Sequence, residues 1–219
     1  MGINLDRPQL WKSDINSSVD LYNTWFMEFA PMAFRESRIL TTRRVERALQ
    51  KTDYLSNISP AVLKCHPEVL PILRMATCPP LARDRLIGLA GASKSLVQNM
   101  EDTARPHISP RMKKTQLTVE LQKISDVIRK MVDPDIFTWL ADARTPDEAE
   151  TMRASTIVAD RLCGAVADPI IRNAQEKRQL TAITSFLKSK GYELAKNGTR
   201  YDEMPAGTFS FHTNVPVFV

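Results

Sequence analysis

Cysteine is scarce. Only Cys65, Cys78 and Cys163 occur in the 219 residues, an odd number at wide spacing. Neither a disulfide framework nor a cysteine-type zinc site can be built from them, and a reducing, cytoplasmic setting is expected. Histidine is equally sparse: His66, His107 and His212 are too scattered for a local metal motif. No run approaches eighteen apolar residues, which excludes a spanning helix. The N-terminus carries Asp6, Arg7, Lys12 and Asp14 in place of an apolar signal core. No fixed internal period occurs, which disfavours a repeat protein.

What is present suffices for a core. Apolar residues make up 43% and charged residues 25%, an ordinary globular balance. Lys and Arg outnumber Asp and Glu by 30 to 25, a mild excess that permits a nucleic-acid partner without demanding one.

Helical patterns dominate. Val19, Tyr22, Phe26 and Phe29 recur at three- and four-residue spacing, predicting a helix over 9–30 with an aromatic core face, ended or bent by Pro31. A second helix is expected from a Thr41 or Thr42 cap through Leu49, its arginines at 43, 44 and 47 either solvated or in contact with phosphate. Between Ser59 and Met100, prolines at 60, 67, 71, 79 and 80 predict short, tightly joined helices, with Leu81, Leu86, Leu89 and Ala90 on one face and positive charge from Arg74, Arg83, Arg85 and Lys94. The segment Thr103 to Pro110 reads as a connector.

Lys113 to Met131 is the clearest amphipathic helix: Leu117, Leu121, Ile124, Ile128 and Met131 form one stripe. Asp133-Pro134-Asp135 stops it, and Ile136 to Leu140 reads as a plug into the core. Thr145-Pro146-Asp147-Glu148 looks like a helix start, with Thr145 as cap and Glu148 closing a capping box. Asp168-Pro169 repeats the signal ahead of a helix that ends at Gly191. Beyond it, Tyr192 to Ala195 could be extended, Asn197-Gly198 and Pro205-Ala206-Gly207 signal turns, and Thr208 to Val219 reads as strand. A lone strand must find a partner or belong to a sheet whose remainder is missing.

Counting back by four from Leu180 reaches Glu176 and then Arg172, which sets Glu176 on the side of Leu180, Ile183 and Leu187, with Gln179 near the same face. An inward carboxylate needs a partner, a metal or an exit to solvent. A bond to Arg172 is the plain explanation. The chemical one is a carboxylate beside a divalent ion that activates water against a phosphodiester. A full site needs further carboxylates and a lysine, and no Glu-x-Lys follows Gly191 on a strand.

The run Arg172 to Leu180, followed by Phe186 to Tyr192, resembles the first core helix of a PD-(D/E)xK nuclease. The opening Met1 to Pro8, the stretch Leu73 to Arg85 and the stretch Pro205 to Phe211 make most of the chain resemble the amino-terminal part of the XamI family of type II restriction endonucleases. The resemblance implies magnesium-dependent cleavage of both strands of a short palindromic DNA site, a homodimer, and pairing with a DNA methyltransferase. It implies a mostly α chain: a helical region over 1–165 for DNA binding or scaffolding, leading into an incomplete α/β core over 166–219. Glu176 would help hold or position Mg2+, directly or through water. Arg172 and Gln179 would support it or contact phosphate, and Arg83 and Arg85 would meet DNA. The family's Asp and Glu/Asp-x-Lys strands are expected beyond Val219, so the 219 residues alone are expected to be inactive, as a fragment or truncated product. The competing readings are a helical DNA-binding module without catalysis and a protein-interaction domain.

Overall fold

Prolines interrupt the helices less than the sequence suggests. The computed structural model describes residues 7–196 and 199–211. Its first helix, α1, runs unbroken over Pro8–Lys51 with Pro31 inside it. Of the two outcomes expected at Pro31, an end or a bend, the end does not occur, and the separate helix from Thr41 is corrected. An internal proline forfeits the bond to the carbonyl four residues back; here that residue is Met27, which lies at the exposed surface where solvent can serve. Thr41 and Thr42 do not cap. Their hydroxyls donate back to the Ser37 and Arg38 carbonyls at 2.7 and 2.9 Å. The aromatic stripe also departs from expectation. Tyr22 touches Trp25 and Phe26, and Trp25 stacks on Phe29 at 5.2 Å, but Val19 and Phe26 are exposed, and burial on α1 begins only at Ala30.

The proline-punctuated segment folds as its spacing predicts. It gives α2 (Pro60–Cys65), a 3-10 turn (Pro67–Val69), α3 (Leu70–Met75), α4 (Arg83–Ala90) and α5 (Lys94–Met100). The Ser59 and Ser93 hydroxyls cap α2 and α5. Leu81, Leu86 and Ala90 are buried as expected, whereas Leu89 is exposed. The next helix, α6 (Lys114–Met131), buries Leu117, Leu121, Ile124 and Ile128 and receives α2 and α4 on that face. Phe137 and Trp139 follow as the expected plug, both 1% exposed and packed edge to face at 5.4 Å.

The last helix, α7, runs over Glu148–Ser189. Its capping box uses a different pair from the one expected. The Asp147 carboxylate accepts from the Glu150 N–H at 2.7 Å, and the Glu150 carboxylate accepts from the Asp147 N–H at 3.0 Å. Asp147 rather than Thr145 is therefore the cap, with Glu150 at the third helical position, because the helix starts two residues after Pro146 rather than on it. Pro169 lies inside α7 and starts no new helix.

Two compact units are formed, Met1–Ala167 and Asp168–Val219. Among the described residues the first is helical apart from its connectors and one bridge between Thr77 and Val132, and its core includes Leu63, Leu70, Leu73, Leu121, Ile124 and Val158. The second holds the end of α7 and a parallel pair, β1 (Glu193–Leu194) with β2 (Thr208–Phe209), in the register Glu193 to Thr208 and Leu194 to Phe209. Of the strand expected over 208–219, Thr208–Phe209 is paired with an earlier segment. Gly191, at φ 87°, ends α7, and the Tyr192 N–H reaches back to the Leu187 carbonyl at 3.1 Å. The opening Met1 to Asp6, the turn Asn197-Gly198 and the run from His212 lie outside the described residues. The chain is predominantly α-helical with a small open sheet, and no described helix is long and apolar enough to cross a membrane.

Candidate active site and nucleic-acid contacts

The stretch Leu73 to Arg85 is a knot of buried polar contacts. Arg74, expected to add surface charge, is 9% exposed. Its guanidinium donates to both Glu101 oxygens, at 2.5 and 2.8 Å, and to the Leu81 carbonyl. The buried Thr77 hydroxyl bonds the Arg74 and Pro79 carbonyls. From α7, Arg161 donates to the Met75 and Thr77 carbonyls and meets Asp133 at 3.1 Å. An arginine fork can close several acceptors at once, so this motif fastens a turn and leaves Arg74 no charge to offer a partner. Arg83 and Arg85, on the first turn of α4, are exposed and form no ion pair among the described residues.

Glu176 stands on the second unit's part of α7, at the edge of a groove of about 410 Å³ shared with Leu194 and Phe211. Asn173, Lys177, Leu180 and Thr184 line the helical wall. At roughly 100° per residue these four lie about 40 to 100° to one side of Glu176, while Arg172 and Gln179 lie about 40 and 60° to the other. Arg172 and Gln179 are exposed and do not line the groove. Ile183, expected on the covered face, is exposed, whereas Leu180, Thr184 and Leu187 are half buried. The covered stripe is thus turned toward Lys177 and Thr184. Glu176 is exposed, and no ion pair joins it to Arg172 among the described residues. Lys177 and Thr184 were missed in the sequence; the polar spacing 173, 177, 181, 184 was the available signal.

Among the described residues, no three His, Cys, Asp or Glu side chains are grouped so as to hold a metal ion. A hard divalent cation takes several oxygen donors. Glu176 alone does not make such a site.

The pattern of the XamI restriction endonuclease family matches residues 53–218. The chain belongs to that family. Type II restriction enzyme SalI of Streptomyces albus G is 46% identical to it over 217 residues, spanning 98% of this chain and 68% of that enzyme. No solved structure matches. Membership of a type II restriction endonuclease family, in the PD-(D/E)xK superfamily, gives the mixed architecture its meaning. The family match covers both the Arg74 knot and the Glu176 groove.

Proposed function

We propose that the chain is the helical and early-core portion of a type II restriction endonuclease that cuts duplex DNA with Mg2+. The likeness to a type II restriction enzyme along 98% of the chain carries this reading. In it, the 1–165 region binds or scaffolds DNA and 166–219 begins the nuclease core. Glu176 is an accessory acidic residue for the metal. The remaining ligands come from outside the described residues, since one groove-side carboxylate is too few and 32% of the SalI enzyme has no counterpart in these 219 residues. The working enzyme is a homodimer, as suits a palindromic site, and a methyltransferase protects the host sites.

The test is a chimera that joins this chain to the unmatched part of the SalI enzyme. Discrete fragments from phage DNA in Mg2+, lost on Glu176→Ala, support the reading. A folded chimera that binds DNA and never cuts it favours a DNA-binding module without catalysis, the alternative to which the lack of grouped carboxylates among the described residues points.

A further inference from the structure

The last turns of α1 carry Arg43, Arg44, Arg47 and Lys51. The spacing from Arg44 to Arg47 to Lys51 is three and then four residues, so these three share one stripe. That stripe forms one wall of a groove of about 290 Å³, and Glu68, Val69 and Ile72 form the other. The floor is rigid: Ala48, Val69 and Ile72 are at most 3% exposed and belong to the core. Lys51 is neutralised within the groove, its Nζ lying 2.5 Å from Glu68 Oε1. Arg44 and Arg47 are exposed and have neither an ion pair nor a side-chain hydrogen bond among the described residues.

Helix-end electrostatics do not account for this arrangement. A cation complements the helix dipole only within the last turn, which Lys51 fills, and Arg44 lies almost two turns earlier. Like charges three and four residues apart repel. A polyanion lying along the stripe would reverse that sign. Guanidinium forks match phosphate oxygens in twos. Arg44 and Lys51 are separated by about 10.5 Å of helix axis, and one strand of duplex DNA presents a phosphate about every 3.4 Å along the duplex axis. About two or three phosphates of one strand therefore fall within reach of the stripe.

We infer that the groove between the end of α1 and the Pro67–Ile72 segment is a seat for the DNA sugar-phosphate backbone, with Arg44 and Arg47 as its phosphate contacts. This rests on the reading of duplex DNA as substrate. The contact positions the duplex and reads no bases. Glu68 tempers it by occupying Lys51.

The test is the binding of the 219-residue chain to random-sequence duplex DNA, followed by fluorescence anisotropy across a salt series. Arg44→Ala/Arg47→Ala weakens binding about tenfold or more at low salt and flattens the plot of log affinity against log salt by about 1.8, or 0.9 per lost phosphate contact. Glu68→Gln frees Lys51, tightens binding and steepens the slope by up to about 0.9. All three side chains are at the surface, and thermal melts of the variants report that the fold is kept. If the wild type binds and the double variant matches its affinity and slope, this seat is wrong while the DNA reading stands. If the wild type has no salt-dependent DNA affinity, the DNA reading of this chain fails and the seat fails with it.

Discussion

The indole N–H of Trp139 donates to the carbonyl oxygen of Tyr54 at 2.8 Å, joining residues 85 apart in the chain. Tyr54 is the middle of three consecutive non-glycine residues with positive φ: Asp53 at 48°, Tyr54 at 50° and Leu55 at 69°. Such backbone persists only where its surroundings hold it. Trp139→Phe keeps most of the ring packing and removes the donor. It lowers unfolding free energy by about 1–3 kcal/mol, the cost of an unmet partly buried carbonyl. Urea denaturation checks this, and an unchanged midpoint would show that the turn holds itself.

The Arg74–Glu101 pair, with side chains 10% and 6% exposed, is among the most enclosed ion pairs described. Glu101→Gln weakens it and Arg74→Ala strands Glu101. Arg74→Ala costs about 3–5 kcal/mol, because an unpaired buried charge remains. Thermal unfolding reads the loss, and the double variant Arg74→Met/Glu101→Leu recovers part of it.

Ser125 and Ser155 are fully buried, and neither hydroxyl has a hydrogen-bond partner among the described residues. An unmet buried hydroxyl is a penalty that alanine does not carry. Ser125→Ala raises stability by about 1 kcal/mol. A fall in melting temperature would show that the hydroxyl is satisfied in solution.

Hydrogen bonds from Arg144 first, and then from the Asp147 N–H, pull the Glu150 carboxyl down to about 2 from an ordinary 4.5. A depressed carboxylate stabilises the fold fully above its unfolded value. That contribution is lost as pH falls from about 4.5 toward 2. The stability gap between wild type and Glu150→Gln is therefore constant from pH 7 to 5 and closes below 4.5. Urea titrations at stepped pH measure it, and a gap undiminished at pH 2.5 would show that the Glu150 charge is not its source.

Local chemistry was legible where period and proline agreed. The α6 stripe is one such case: a buried face at Leu117, Leu121, Ile124 and Ile128 needs only an amphipathic helix meeting a core. The α1 stripe was misread because periodicity states which residues share a face and not whether anything covers it, so Val19 and Phe26 carry the pattern while exposed. Thr41 carries cap chemistry, but a hydroxyl that can bond back to the preceding turn suits a helix interior as well, and at Thr145 the neighbouring Asp147 takes the cap instead. Arg74 read as one of several suppliers of positive charge, because its acceptor at Leu81 is a backbone carbonyl that no side-chain pattern announces. Around Glu176, a count by fours sets Leu180, Ile183 and Leu187 on one face and misses the rotation that puts Lys177 and Thr184 toward the groove.

The closure between α1 and the first half of α7 has a consequence for synthesis. Arg38 meets Asp160 at 2.9 Å across 122 residues, and Cys163 bonds the Phe34 carbonyl across 129. At about 5–20 residues per second a ribosome needs roughly 6 to 25 s to deliver the later partner after the earlier one. For that interval the Phe34 carbonyl and the Arg38 guanidinium are carried on a nascent chain without these partners. A holding chaperone that engages exposed apolar helix has its opportunity there, on α1.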